Sequence, residues 1–447
     1  MALISKSYRI VSVLLLSLIL ILPPLLRKEQ KPQIIPAPVE FTSGKGYFDL
    51  SEGVCSISDS RLQGYISDNS SLEWSFAQNG NILFRIDLSI PAEGYDLSVT
   101  RDSIIVKSSD YSGSFYALQT LLQMVDNRGR VPSCRVVDYP KHSWRGAMLD
   151  VSRHFYGYDF ILKHIDAMAL LKLNKLHLHL TDAAGWRIEI EKYPRLTSFA
   201  AWRTGNNWKE WWFGDRKYLE EGTEGAYGGY LTKDQARAIV EYAAVRGIEV
   251  IPEIEMPAHS EETLTAYPEY SCTGEMYVHP DFCVGNEATF TFLQDILSEI
   301  MEVFPSEYIH IGGDEAGKQA WKSCPKCLAR VKQENLPDTD ALQPYMIKRI
   351  AQFLTEKGRK AIGWDEILSG GAPEGAAIMV WRGLENVQEA INQGNDVILS
   401  PGAYCYFDTY QDAPGLLPEA MGGYLPLSKV YSYQMPQNEK ILGIQGN

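Results

Sequence analysis

Residues 232–254 read TKDQARAIVEYAAVRGIEVIPEI. Thr232 is a good N-cap, because its hydroxyl can accept from an unpaired N–H of the first helical turn. Gly247 is a good stop, because it takes the left-handed backbone that ends a helix without a Cβ penalty. A helix over Thr232–Arg246 therefore feeds an apolar, strand-like run at Ile248–Ile254. The same rhythm extends on both sides. Strand-like runs fall at Ala147–Asp150, Lys175–Leu180, Ile248–Ile254, Tyr308–Gly313, Ala361–Trp364, Ile378–Trp381, Asp396–Ser400 and Ile441–Gln445. Helical patterns such as Phe160–Leu173 lie between them. Strands alternating with helices make a parallel sheet, and eight of them favour a closed (β/α)8 TIM barrel over an open doubly wound sheet. No glycine-rich phosphate loop follows any of the runs, which counts against a nucleotide-binding sheet.

A barrel of this kind carries its chemistry at the C-terminal ends of its strands. In order, those ends hold Asp150 and Arg153, Asp182, Glu253 with Glu255 and His259, Asp314 with Glu315, Trp364, Trp381, and Tyr406 with Asp408. Carboxylates and aromatics dominate, and no Ser or Cys stands paired with a base. The sharpest local signal is His310-Ile-Gly-Gly-Asp314-Glu315. Its glycines let the chain turn tightly, so that neighbouring acids can serve one ligand. Two ionised acids side by side repel, and one of them tends to hold a proton near neutrality. A proton-holding acid beside an ionised one suits cleavage of a glycosidic bond. Trp364 and Trp381 offer indole faces to the apolar face of a sugar ring. Tyr406 offers a hydroxyl donor, and Asp408 an acceptor for sugar hydroxyls. His177-Leu-His179 puts two imidazoles on one face of a strand, as some metal-dependent hydrolases require. Later strand ends supply acids and the single His259 rather than more His or a Lys. The default for the pair is core or hydrogen-bonded histidine, and no metal is assigned.

The chain has 447 residues, is 45% hydrophobic and 22% charged, and carries a formal net charge of −14. That composition excludes disordered, collagen-like and polytopic membrane chains. The acidic balance argues against a nucleic-acid partner, whose affinity rests largely on Lys and Arg contacts. Residues 1–30 differ from the rest: Lys6 and Arg9 precede a mostly apolar run from Ile10 to Leu22, and Pro23-Pro24 and Arg27-Lys28 follow. This reads as a secretory signal peptide or, since no clean small-residue cleavage site follows, as a signal anchor retained in the membrane. Either implies export, to a periplasmic, cell-surface or extracellular location. Residues 31–138 look like a small N-terminal α/β domain, with strand-like runs at Ile82–Leu88, Tyr95–Thr100 and Ser103–Lys107 and one clear helix at Ser114–Val125. Asp138-Tyr-Pro140 is a plausible boundary, since Pro disfavours continuing either element across it; residues 139–447 are left for the barrel. Of seven Cys, Cys272 and Cys283 flank one loop and are a plausible disulfide pair. Cys324-Pro-Lys-Cys327 could be a redox pair, half of a zinc site or a small loop staple; zinc would need two further ligands and none sits nearby at the usual spacing, so a staple or two free thiols is the default.

Taken together the motifs resemble the β-N-acetylhexosaminidases of glycoside hydrolase family 20. The resemblance is carried by Arg145-Gly-Ala-Met-Leu-Asp150-Val-Ser-Arg153-His-Phe155, Asn174-Lys-Leu-His-Leu-His-Leu-Thr-Asp182, Met256-Pro-Ala-His259 and His310-Ile-Gly-Gly-Asp314-Glu315. Gly363-Trp364-Asp-Glu-Ile367, Ile378-Met-Val-Trp381 and Leu399-Ser-Pro401 through Tyr406-Phe-Asp408 continue it. It runs from about residue 33 to the end and includes the small α/β domain. It implies exo-acting, retaining hydrolysis in which the substrate's own 2-acetamido oxygen is the nucleophile, an exception to the usual two-carboxylate scheme. Orientation then replaces a protein nucleophile. By the resemblance, Glu315 is the general acid and then the base, and Asp314 holds the acetamido N–H and offsets the charge of the forming oxazolinium ring. Tyr406 donates to the acetamido oxygen, and Trp364 and Trp381 wall its pocket. Arg153 and Asp408 bind ring hydroxyls, and Asp182 with His259 forms a relay that positions Glu315. The implied partner is a glycan or oligosaccharide ending in β-linked N-acetylglucosamine or N-acetylgalactosamine, and no cofactor is implied.

Two features depart from the pattern. Phe199–Tyr218 (FAAWRTGNNWKEWWFGDRKY) is a Trp-rich excursion, read either as a lid on the leaving-group side or as a self-packed loop. The family continues past the eighth strand with a Trp, a Glu and a last helix, whereas the sequence stops at Gly446-Asn447; the expectation is a truncated reading of a longer protein. Two other functions stay open: a sugar-binding protein that has lost turnover, and a conventional glycosidase pairing Glu315 with Asp182 or Glu253.

Overall fold

The computed structural model describes residues 33–69, 74–413 and 415–447. The signal-like segment at residues 1–30 lies outside them. Seven strands form a mixed N-terminal sheet: β1 (Glu40–Asp49), β2 (Val54–Ser56), β3 (Ser75–Phe76), β4 (Ile82–Ile86), β5 (Tyr95–Val99), β6 (Ile104–Ser108) and β7 (Arg130–Asp138). Their spatial order is β1-β7-β5-β6-β4-β2-β3. The helix expected at Ser114–Val125 runs from Tyr111 to Met124, capped by Asp110, whose carboxylate accepts from the Gly113 N–H. It lays Phe115, Leu118 and Leu121 against the sheet, all fully buried. A second helix, Ser60–Asn69, went unread in the sequence.

The rest is a closed barrel of eight parallel strands: β8 (Trp144–Asp150), β9 (Lys175–His179), β10 (Glu249–Met256), β11 (Tyr308–Gly312), β12 (Lys360–Trp364), β13 (Ala377–Val380), β14 (Asp396–Leu399) and β15 (Ile441–Gly446). Each coincides with one of the eight apolar runs. The helix before β10 begins with a full capping box: Thr232 Oγ1 accepts from the Gln235 N–H, and Gln235 Oε1 accepts from the Thr232 N–H. Gly247 ends it at φ +69°. The ring closes through β15, which pairs with β14 on one side and β8 on the other. Among the described residues no helix is long and apolar enough to cross a membrane.

The barrel interior is filled rather than hollow, as this fold requires. Trp144, Ile251, Tyr308, Ile362, Trp364, Met379 and Ile398 form one apolar cluster inside it. Within that cluster sits a polar layer. Glu253, wholly buried, faces His177 Nε2 at 3.0 Å and His310 Nδ1 at 2.7 Å, and accepts from Trp364 Nε1 at 2.9 Å. Burial pulls the His177 imidazole down to about 4, which leaves it neutral. His179 is subject to the same burial, but the Glu253 and Asp150 charges outweigh it and push it up to about 10. The His-x-His pair is therefore one neutral hydrogen-bonding ring and one buried cation.

The two domains meet through polar groups. Arg145 Nη2 reaches Glu93 at 2.5 Å and Tyr116 Oη at 3.0 Å. Lys172 Nζ reaches Asp138 at 2.8 Å and Tyr95 Oη at 2.9 Å.

Candidate active site

The C-terminal mouth of the barrel opens into a cavity of about 780 Å³, within the usual range for small-molecule sites. Its lining includes Asp150, Arg153, His179, Glu255, His259, Asp314, Glu315, Trp364, Trp381, Tyr406 and Asp408. Eight of the nine residues singled out from the sequence thus lie on one pocket. The ninth, Asp182, stands directly behind it, 3% exposed.

Local chain geometry explains why they converge. After β8 the Asp150 carboxylate accepts from the Ser152 and Arg153 N–H groups, folding the chain so that Arg153 Nη1 returns to Asp150 at 2.7 Å. Arg153 Nη2 meets Asp182 at 2.7 Å. After β11 the chain passes through Gly312 at φ +61° and Gly313 at φ +98°. A Cβ on Gly312 would lie 1.8 Å from Glu255 Oε2, and one on Gly313 would lie 2.3 Å from Ile367 Cγ2. Only glycines fit, for space as well as for dihedral angle. Glu315 itself sits at φ +48°, a left-handed conformation that a non-glycine residue adopts at some cost.

Both acids of the pair turn toward one imidazole. His259 Nε2 lies 3.2 Å from Asp314 and 3.3 Å from Glu315, while His259 Nδ1 lies 3.4 Å from Asp182. Burial alone would lower the His259 pKa; the Asp182 charge and contacts with all three acids lift it well above its ordinary value instead. Burial likewise opposes ionisation of Asp182, but the Arg153 and His259 charges hold its carboxyl far below the usual range.

At Glu315 the structure runs against the expectation of a carboxyl that holds its proton because of the neighbouring acid. The hydrogen bond from His259 draws the Glu315 pKa down, not up, because a cation rather than a second carboxylate is its nearest partner. The proton-holding acid is Glu255, which the sequence placed at a strand end without a role. Burial raises it well above the ordinary carboxylate range, and the Asp314 and Glu253 charges add to that. Its environment comes from three strands, so no local sequence signal marks it. Glu366 went unread as well. Burial pushes it up to about 7 even though Trp381 Nε1 donates to it at 3.1 Å.

The aromatic wall comes from the last strands. Trp364 is nearly buried and anchored to Glu253; Trp381 stacks on Tyr406 with ring centroids 6.2 Å apart and planes 28° apart. Burial raises the Tyr406 hydroxyl pKa well above its ordinary value, so it remains a donor. The Trp-rich excursion divides. Trp211 is fully buried, whereas Asn207, Trp208 and Lys209 line the pocket. Lys209 Nζ meets Glu419 at 3.0 Å, tying the excursion to the Leu417–Met421 stretch on the same pocket.

Two carboxylates considered as partners for Glu315 are placed elsewhere. Glu253 lies in the barrel interior beneath Trp364, and Asp182 is committed to Arg153 and His259. The cysteine reading is corrected too. The fold brings Cys272 and Cys283 up to Cys324 and Cys327, all four within 4.8 Å of one another. Cys272 lies 3.8 Å from Cys327, and Cys283 lies 3.7 Å from Cys324. All four are free thiols in the structure.

Paired acids, a charged histidine relay and an indole-walled pocket at the C-terminal mouth of a (β/α)8 barrel define a glycoside hydrolase scaffold. Residues 142–447 match the glycosyl hydrolase family 20 catalytic domain, and residues 31–139 match domain 2 of the same family. The chain belongs to glycosyl hydrolase family 20. It is 36% identical to a beta-hexosaminidase of Porphyromonas gingivalis over 93% of this chain and 56% of that protein. It is 34% identical to a beta-hexosaminidase of Vibrio furnissii over 82% of this chain and 62% of that one. It therefore spans less than two thirds of these relatives. Among solved structures, a beta-N-acetylhexosaminidase from Bacteroides fragilis superimposes with a TM-score of 0.80 at 31% identity, covering 93% of this chain and 85% of that one. The exo-beta-N-acetylglucosaminidase of Vibrio harveyi, solved with N-acetylglucosamine, gives 0.82 at 28% identity, covering 92% and 68%.

Proposed function

We propose that the protein is an exo-acting, retaining β-N-acetylhexosaminidase that removes terminal β-linked N-acetylglucosamine or N-acetylgalactosamine through an oxazolinium intermediate. The observation that carries this reading is the sharing of His259 Nε2 by Asp314 and Glu315 at the pocket, while the two carboxylates considered as second partners, Glu253 and Asp182, are buried and already paired. A retaining hydrolase needs a nucleophile, and with Glu253 buried and Asp182 paired, the substrate's own acetamido oxygen fills that role. Asp314 accepts from the acetamido N–H and faces the positive charge as the ring closes. Trp364, Trp381 and Tyr406 bracket the acetamido group. Arg153 and Asp408 meet ring hydroxyls. Glu315 protonates the leaving oxygen. Before substrate binds, the proton is held on His259 Nε2, one hydrogen bond away, and substrate that excludes water from Glu315 favours transfer to it. The names of the relatives support the substrate class. The basic-then-apolar pattern of residues 1–30 supports export, with a cleaved signal or a retained N-terminal anchor; cell fractionation and N-terminal sequencing distinguish these.

The test is a panel of chromogenic β-glycosides of N-acetylglucosamine, N-acetylgalactosamine and glucose. The first two are expected to turn over, the third to be inert, and Glu315→Gln to slow release sharply. A thiazoline that mimics the cyclised acetamido group is expected to inhibit strongly. Rapid cleavage of the glucoside, or an ester trapped between enzyme and sugar, would overturn the mechanism. Binding without release would favour a lectin-like role.

A further inference from the structure

We propose that Cys272, Cys283, Cys324 and Cys327 form a structural tetrathiolate metal site of the zinc class. This site is separate from the pocket and independent of the activity proposed above. The sulfurs come from three segments. Cys272 follows a short 3-10 turn at Pro268–Tyr270, and Cys283 lies just past the Ser271–Phe282 bridge. Cys324 and Cys327 sit at the start of the helix Pro325–Gln333. Cys283 Sγ is 3.7 Å from Cys324 Sγ and 3.8 Å from Cys327 Sγ, and Cys327 Sγ is 3.8 Å from Cys272 Sγ. A zinc ion with four sulfurs at about 2.3 Å in tetrahedral array sets them about 3.8 Å apart. A disulfide would require about 2.05 Å. Cys283 and Cys327 each have two sulfur neighbours within 3.8 Å, each other among them, and all four sulfurs lie within 4.8 Å of one another, so the cluster is one group of four rather than two separate bonds.

The surroundings suit thiolates. Cys283 and Cys327 are wholly buried and Cys324 is 5% exposed. Gly285 packs so closely on the Lys326–Cys327 peptide that a Cβ would fall 2.1 Å from the Lys326 carbonyl carbon. On binding, each thiol gives its proton to solvent and donates a lone pair to the ion, so four protons leave and the centre carries two negative charges.

The site would fasten the loop that follows the catalytic acids. Asp281, two residues before Cys283, accepts from the Gly317 and Lys318 N–H groups at 3.3 and 2.8 Å. The Phe282 carbonyl accepts from Trp321 Nε1 at 2.9 Å.

The experiment uses the full chain, incubated with zinc chloride under reducing conditions and then desalted. One zinc per chain by mass spectrometry is expected. Cobalt in its place is expected to give the strong visible bands of a tetrahedral tetrathiolate. Alkylation in denaturant with chelator and no reductant is expected to label all four cysteines, and chelation is expected to lower the Tm. Cys283→Ser is expected to lose the zinc, while Cys55→Ser in the small domain keeps it. Recovery of the four as disulfide-linked peptides, or free thiols that retain well under one zinc per chain, would overturn the proposal. Because both readouts are made on the unaltered chain, a variant that fails to fold does not decide the matter.

Discussion

His259 sets the proton balance of the pocket. It is charged, braced by Asp182, and shared by Asp314 and Glu315. Replacing it with Gln removes the charge that holds Glu315 low. The Glu315 pKa is expected to rise, measured by titrating its carboxyl spectroscopically in the variant and in the unaltered chain. Glu315→Gln is expected to cost about 10²–10⁴-fold in kcat with a substrate of poor leaving ability. Glu366 makes a separate statement about stability. Its folded pKa, about 7, is above the ordinary value of 4.5. Between those values the folded state binds more protons than the unfolded state, so stability falls as pH rises through that window. In Glu366→Gln that component of the pH dependence is expected to flatten, as read from denaturant melts. The adjacent acids were legible because they are consecutive. Glu255 was not, since burial, and after it the Asp314 charge, raise its pKa only in the folded chain.

At the scale of the element, barrel strands announced themselves because parallel strands buried on both faces read as continuous apolar runs. The strands of the small domain gave weaker signals. β1, for example, alternates poorly and leaves most of its residues exposed; its place is set by pairing with β7, far along the chain. Helix Ser60–Asn69 contains Gly64 and two serines, which dilute a helical pattern. The cysteine cluster was illegible for a related reason: its ligands lie on loops brought together by β10 and β11. The turn after β11 carries the sharpest prediction. Gly312→Ala is expected to cost about 1–2 kcal/mol for the left-handed backbone and a further ~1–3 kcal/mol for crowding Glu255. A denaturant titration of the variant checks this. No loss would mean that the turn relaxes freely.

Across the whole molecule, the pocket is completed by parts that no strand-end reading reaches. The Trp-rich excursion comes from the β9–β10 connection and Leu417–Met421 from the β14–β15 connection, and Lys209 and Glu419 join them. Glu419 is more than half exposed, so the pair is expected to contribute less than ~1 kcal/mol to stability. Glu419→Ala is therefore expected to leave the Tm nearly unchanged while raising KM for oligosaccharides more than for small aryl glycosides. Equal effects on both substrates would argue against a role for this wall in holding the sugar beyond the first.

The filled barrel beneath Trp364 leaves the cavity with no rear exit. Under the proposed exo-acting hydrolysis, a freed monosaccharide and the shortened glycan would share one doorway. The remaining glycan would not slide forward while the detached unit is still inside; it would let go first and be captured anew. Degradation would then be distributive. Early samples of a digest would show all chains a little shorter, rather than a few consumed and the rest untouched.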